Sequence, residues 1–328
     1  MQRRAILLAP ASLALPWLLR SGRAAAQSGY PSRSIRLVVG FAAGGPTDVI
    51  ARIVAQDMAV TLGRPVVVEN RTGANALIAT QFVAREAPDG YTILLATLSH
   101  SVNAILMPEN SYRPLADFTP IGLAALLPLI AVTGAHTPFT TLQDVVAAAR
   151  NSPDGVTYGS AGNGGSAHLA AALLATRSGT RMTHVPFRGN GPALTEVMAG
   201  RVSFMFYPMI GIQDYVEKGQ LRPLAISTAE RSPDYPSVPT MREIGYPGFE
   251  DYTQGLGLLA PARTPDAIVE RLNTALKSSL ARPETAARMR GLGGIVATSS
   301  PAEYADFLRR DLERWRRVID AAHITLQE

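Results

Sequence analysis

The chain has no cysteine. That excludes disulfides, thiolate metal ligands, a cysteine nucleophile and the lipid-modified cysteine that tethers many exported binding proteins. Long apolar runs are also missing. The longest, Ile121 to Val132, contains Pro128 and falls well short of the roughly 20 residues a membrane-spanning helix needs. It suits a core strand or a crossing between two lobes. His100, His136, His168, His184 and His323 show no metal-ligand spacing, and no glycine-rich loop carries the phosphate-binding lysine of a P-loop. Neither a metal nor a cofactor is implied.

The first residues read as an export leader: MQRR is a basic start, Ala5 to Leu19 is a short apolar stretch, and Ala24-Ala25-Ala26 before Gln27 fits a signal-peptidase site. The Arg3-Arg4 pair fits a twin-arginine signal and an ordinary secretory signal equally well. Residues 1–26 are thus expected to be cleaved and the rest released into the periplasm as a free monomer. The leader holds Arg3, Arg4, Arg20 and Arg23 and no acid, so the 31 basic residues drop to 27 against 26 acidic ones, a net charge of +1. The high pI of the full chain therefore gives no nucleic-acid footprint. Near the C-terminus, Arg309, Arg310, Arg314, Arg316 and Arg317 alternate with Asp311 and Glu313, as on a solvated helix face.

From Ser34 onward, short β-branched runs alternate with amphipathic stretches: IRLVV, then 47–62; PVVVEN, then 74–85; YTILLA, then a loop. That βαβαβ pattern predicts a parallel sheet covered by helices. A second α/β unit follows, with helices over 141–150, 166–177, 193–199 and 210–218 between the strands VTYGS, MTHVPF, SFMFY and RPLAIST. After a stretch rich in proline and glycine, LGLLAP returns to strand character before helices near 265–280, 283–290 and 301–321, each opening on a proline. About 300 residues are near the limit of one core. The expected layout is a two-lobed α/β fold, with domain 1 formed by 27–128 and 256–328 and domain 2 by 129–255. Facing lobes of this kind enclose a ligand cleft at the carboxyl ends of their strands.

Two strand-to-helix turns are rich in small residues: FAAGGPTD, from Phe41 to Asp48, and YGSAGNGGSAH, from Tyr158 to His168. Glycine lets the backbone approach a ligand, and the N–H groups of a first helical turn favour a carboxylate or phosphate. The first turn can offer the N–H groups of Gly44, Gly45, Thr47 and Asp48 and the Thr47 hydroxyl. Thr47 and Ser166 also suit plain N-caps, and Asp48 suits a helix end better than an anion site. Arg188, after MTHVPF, is the best cation for a ligand carboxylate, and a surface ion pair would equally explain it. Gly162, Gly164 and Ala167 also spell G-x-G-x-x-A, which keeps an exported NADP-binding oxidoreductase open, although no acid follows to hold a ribose. Ser166 and His168 do not form a hydrolase pair.

Taken in order, YPSRSIRLVVGFAAGGPTDVIAR, GRPVVVENRTGA, APDGYTILLA, YGSAGNGGSAHLA, THVPFRGNGPAL and GLLAPARTPDAIVERLN resemble the Bug, or TctC-like, receptors of tripartite tricarboxylate transport systems over the whole mature chain. The resemblance implies a clam-shaped, non-enzymatic receptor that binds a small carboxylate through its glycine turns, largely with bridging waters, and passes it to a membrane transporter in a transient contact. Presentation to a sensor kinase is the other use such a protein could have. Carried onto this chain, the site comprises Phe41, Ala43, Gly44, Thr47 and Asp48; Thr97 and Ser99; Ser160, Ala161, Gly162, Asn163, Gly164 and His168; and Arg188 and Tyr207. Three positions depart from the family pattern. Gly40 stands where proline is usual, Ala74-Asn75-Ala76 replaces a glycine-rich stretch, and Ser203 and Tyr207 stand where acids are common. Loss of acid from the cleft should favour a fully anionic ligand over an amino acid, and Phe41 and Tyr207 could stack on an aromatic one.

Overall fold

A computed structural model describes residues 29–109, 112–153, 155–249, 253–321 and 324–325. The leader, its cleavage site and His323 lie outside the described residues. IRLVV forms β1 (Ile35–Val39), whose nearly continuous burial places it inside a sheet, paired in parallel with β2 (Val66–Asn70) and β3 (Thr92–Ala96). The helices α1 (Pro46–Leu62) and α2 (Leu77–Ala84) follow β1 and β2. After β3, where a loop is expected from sequence, the chain forms a third helix, α3 (Ser99–Leu106). Its first turn is tight, with the His100 and Ser101 N–H groups donating back to the Thr97 and Leu98 carbonyls.

Strand β4 (Phe118–Leu127) runs antiparallel to the late strand β10 (Gln254–Pro261), which also pairs with β3. With β11 (Ile295–Val296) at the edge, the order is β11-β4-β10-β3-β1-β2. Pro128 cannot donate to a ladder. It separates β4 from β5 (Leu129–Gly134), so the run from Ile121 to Val132 serves two different sheets.

In the second lobe, β5 lies between β8 (Met205–Pro208) and β9 (Leu221–Ile226), antiparallel to both. Strands β6 (Thr157–Ser160) and β7 (Thr183–Pro186) pair in parallel and join β8 through a bridge between Tyr158 and Phe204. Here the helices are α4 (Leu142–Asn151), α5 (Ser166–Ser178), α6 (Asn190–Met198) and the short α7 (Gln213–Glu217). α7 is shorter than its apolar pattern predicts, because Gly211 turns the chain at φ +75° just before it.

The C-terminal helices are α8 (Asp266–Leu280), α9 (Pro283–Gly291) and α10 (Pro301–Ala321). Helix α10 serves both cores: Tyr304 and Leu308 are buried with the first sheet, whereas Trp315, Val318 and Ile319 are buried with the second lobe. Between them Asp311 accepts hydrogen bonds from the Trp315 indole and from Ser101 of α3, both at 2.9 Å, and pairs with Arg314. Burial nevertheless raises the pKa of this carboxyl. Among the described residues, no helix is long and apolar enough to cross a membrane.

Gly40 and Ala76, two positions singled out in the sequence, pack directly against each other. A Cβ on Gly40 would press into the Ala76 methyl and stand 2.7 Å from its Cα. The strand can therefore take no side chain at Gly40 while Ala76 is present. Ala74, Asn75 and Ala76 hold left-handed φ values of 45°, 51° and 69°, a conformation that glycine adopts without cost and that costs other residues on the order of 1 kcal/mol each. Urea unfolding should show Gly40→Ala losing about 1–3 kcal/mol and Ala76→Gly changing stability by less than about 1 kcal/mol. The double variant should recover most of the loss. Simply additive effects would contradict this direct packing.

Candidate ligand-binding cleft

Three helices start at one cavity of about 420 Å³ between the lobes. The N-cap of α1 is Gly45, that of α5 is Gly165 and that of α6 is Gly189, and none has a side-chain capping bond. By contrast, α4, away from the cleft, carries a complete capping box between Thr141 and Asp144. Thr47 and Ser166, candidate caps from sequence, lie inside their helices instead, and their hydroxyls bond to no other described residue. The main-chain N–H groups of Thr47, Asp48, Ser166, Ala167, Asn190 and Gly191 are left without protein acceptors. With three helix dipoles behind them, they form a concave array of donors suited to an anion.

The first turn offers fewer donors than its sequence implies. Gly44 N–H donates to the Asp48 carboxylate at 2.8 Å, and Gly45 N–H points at the Ala42 carbonyl at 3.3 Å. Asp48 is a buried brace. It also accepts two bonds from Arg52, at 2.9 and 3.0 Å, and one from Asn70 at 2.9 Å, and Asn70 in turn holds the Phe41 carbonyl. Burial pushes the Asp48 pKa up, but the bonds from Arg52, Gly44 and Asn70 outweigh it and hold the carboxyl below its ordinary value. An ionised Asp48 so paired adds little negative field to the cleft.

The second turn rests on two imidazoles. His168 and His184 stack with centroids 4.0 Å apart and planes within 5°. His168 Nδ1 accepts the Gly164 N–H at 3.0 Å, which puts the ring proton on Nε2. His184 Nε2 meets the Ser160 hydroxyl at 2.6 Å, and that hydroxyl also accepts from the Gly162 N–H at 3.1 Å. Every one of these bonds fixes loop backbone, which is how a glycine-rich turn keeps a single shape.

Of the residues expected at the site, Phe41, Ala43, Gly44, Thr47, Ser99, Ala161, Arg188 and Tyr207 line the cavity. Gly162 and Asn163 line an adjoining one, which shares Phe41, Ala161 and Arg188 with the first. Asp48, Thr97, Ser160, Gly164 and His168 line neither; they stand behind the wall. Arg188 makes no ion pair or hydrogen bond with any described residue. Among the described residues, no aspartate or glutamate lines the cavity. Several wall residues were missed from sequence. Asn75 accepts from Ser99 at 2.9 Å within the left-handed segment, Asn190 and Gly191 open α6, and Tyr215 and Gln254 stand at the base. The Arg-Gly-Asn-Gly-Pro string was the available signal for α6, with glycine at the cap and proline in the first turn. Among the described residues, no group of three metal-ligating side chains comes together.

Burial drives His168 down to about 3, helped by His184, and drives His184 and the buried His100 down to about 4. All three are neutral in the folded protein, whereas an unfolded histidine takes up a proton near pH 6.5. The stability they contribute is therefore complete above about pH 6.5 and is lost as pH falls towards 4. Urea melts should show a slope of roughly 1.4 kcal/mol per pH unit from each of His100 and His168 between pH 6 and 4. His168→Gln should remove its share of that slope. An unchanged slope would show that the ring is not held neutral.

The family model described as the tripartite tricarboxylate transporter family receptor matches residues 50–324 of this chain. A UPF0065 protein of the tcbD-tcbE intergenic region of a Pseudomonas species is 37% identical over 94% of this chain and 92% of the relative. Among solved structures, MatC from Rhodopseudomonas palustris with bound malate is 34% identical, with a TM-score of 0.83 over 88% of this chain and 100% of that one. A second R. palustris protein, solved with adipate, is 32% identical, with a TM-score of 0.86 over 90% and 99%. The two-lobed α/β fold is thus that of periplasmic binding proteins, and the chain belongs to the TctC family of tripartite tricarboxylate transporter receptors.

Proposed function

We propose that this protein is a periplasmic receptor that captures a small carboxylate in the cleft and delivers it to a tripartite membrane transporter. The observation that carries this reading is the convergence of three uncapped helix N-termini on one cavity that, among the described residues, holds an unpaired arginine and no acid. A carboxylate there would accept main-chain N–H bonds from both lobes, with Arg188 as its counter-ion. An ammonium group would meet the positive ends of three helices and no acidic partner, so an amino acid is disfavoured. Phe41 and Tyr207 add aromatic surface for a ring or an aliphatic chain. In this reading the leader is removed at Ala26, the lobes divide near Pro128 and Leu256, and the chain works as a monomer. The malate and adipate held by its relatives support the carboxylate class.

A thermal-shift and calorimetric screen of the mature protein tests the reading, since a ligand that binds only the folded state raises the melting temperature. Mono- or dicarboxylates should shift the transition, and amino acids should not. Arg188→Ala should weaken the bound acid about 10- to 100-fold, the scale of a lost charge-assisted hydrogen bond, without lowering the melting temperature of the free protein. Tight binding of an amino acid, or of NADP alone, would contradict the proposal.

A further inference from the structure

Two polar side chains that line the cavity have no hydrogen-bond partner among the described residues. Gln254 and Tyr207 are each only 6% exposed, both line the cavity, and neither side chain hydrogen-bonds to any described residue. Their polar atoms are not among the fully buried unpartnered ones, so they open to the cavity, and a ligand that displaced water there without replacing its hydrogen bonds would lose on the order of 1–3 kcal/mol.

The β-ladders fix where the two residues sit. Gln254 begins β10 opposite Leu127, the last residue of β4. Tyr207 lies in β8 opposite Ile130, and its neighbour Pro208 lies opposite Leu129. The two residues therefore flank the Pro128 crossing, one from each lobe. The same cavity is lined by the apolar Pro208, Ile210 and Leu292, by the phenol-bearing Tyr215 and, among the described residues, by one cation, Arg188. Burial pushes the Tyr207 phenol up to about 12, which leaves it a neutral donor and acceptor at physiological pH.

Building on the carboxylate reading above, we infer that Gln254 and Tyr207 form a specificity site for a neutral hydroxyl or carbonyl group on the ligand, remote from its carboxylate, and that the ligand class is a hydroxy- or oxo-substituted monocarboxylate. An amide and a phenol together can donate to and accept from one hydroxyl, or donate to one carbonyl. Arg188 is the one cation among the described residues that line the cavity, and the first carboxylate takes it, so a second carboxylate would be desolvated without a counter-ion of its own, which is strongly unfavourable. A hydrogen-bonding site also rejects an analogue that lacks the matching group, because its own buried groups then go unpaired. Since the two residues belong to different lobes, the group that satisfies both also ties the lobes together at their crossing.

The test uses three probe series on the mature protein: benzoate with 4-hydroxybenzoate, 3-phenylpropanoate with its 4-hydroxyphenyl analogue, and hexanoate with 6-hydroxyhexanoate and adipate. Calorimetry should show that in the best-bound series the hydroxylated monoacid is preferred over its unsubstituted partner by about tenfold or more. Tyr207→Phe and Gln254→Leu should each bring that preference, read as the ratio of the two affinities in one variant, close to one. If Gln254→Leu proves unstable, Gln254→Glu, which keeps the shape but cannot donate when ionised, should lose carbonyl ligands relative to hydroxyl ones. Adipate or an unsubstituted acid binding best, or a hydroxyl preference that survives in the variants, would overturn the inference while leaving the carboxylate reading intact. Failure of every carboxylate to bind would overturn both.

Discussion

An α-helix begins with N–H groups that its own turns cannot satisfy, and most of this structure around the cleft serves to keep three such beginnings open. Serine, threonine or aspartate at the cap would fill them. Gly45, Gly165 and Gly189 leave them bare, and the side chains that could have folded back are occupied elsewhere or absent. Bare N–H groups inside a protein are costly, so the arrangement is stable only because the groups face a water-filled cleft or a ligand that replaces the water. Binding is in this sense the completion of helix caps across two lobes.

Keeping a loop of glycines in one shape requires a scaffold beneath it, and each lobe builds one from different chemistry. Under the first turn, an ionised Asp48 gathers Gly44, Arg52 and Asn70. Under the second, neutral His168 and His184 stack and hold Gly164 and Ser160. The difference follows from charge. The Asp48 carboxylate is neutralised within its own helix by Arg52 four residues on, so it does not oppose an incoming anion. The two imidazoles, packed face to face, are kept uncharged by burial. Tyr207 acts in the same direction, since it lines the cavity with a neutral phenol.

Much of the fold was legible in the chain. Glycine strings between a β-branched run and an amphipathic stretch announce the strand-to-helix turns before α1 and α5, and Pro128 inside an apolar run announces the break between strands of two sheets. What resisted reading was long-range. Gln254 joins the cavity because β10 returns from the far end of the chain to pair with β4, and nothing local to Gln254 says so. The split between wall and brace was also hidden: Asp48 and His168 stand beside the glycine turns in sequence but line neither cavity, because each, at the third position of its helix, reaches back to the N–H of the residue before the cap, Gly44 or Gly164. Thr97 and Ser99 were expected on a loop. The chain instead starts α3 there, closing its first turn with backbone bonds that no propensity of Ser-His-Ser foretells. Gly40 and Ala76 read as two unrelated oddities, since their contact lies across 36 residues of chain.

The central claim is that bare helix N-termini bind the ligand carboxylate. Amide NMR of the deuterated mature protein, titrated with a carboxylate that stabilises it, addresses this directly, because an N–H that donates to an anion moves to lower field. The account predicts the largest such shifts at Thr47, Asp48, Ser166, Ala167, Asn190 and Gly191, drawn from both lobes and saturating together, with Gly44 and Gly164 nearly still. Shifts confined to one lobe, or centred away from these amides, would contradict it.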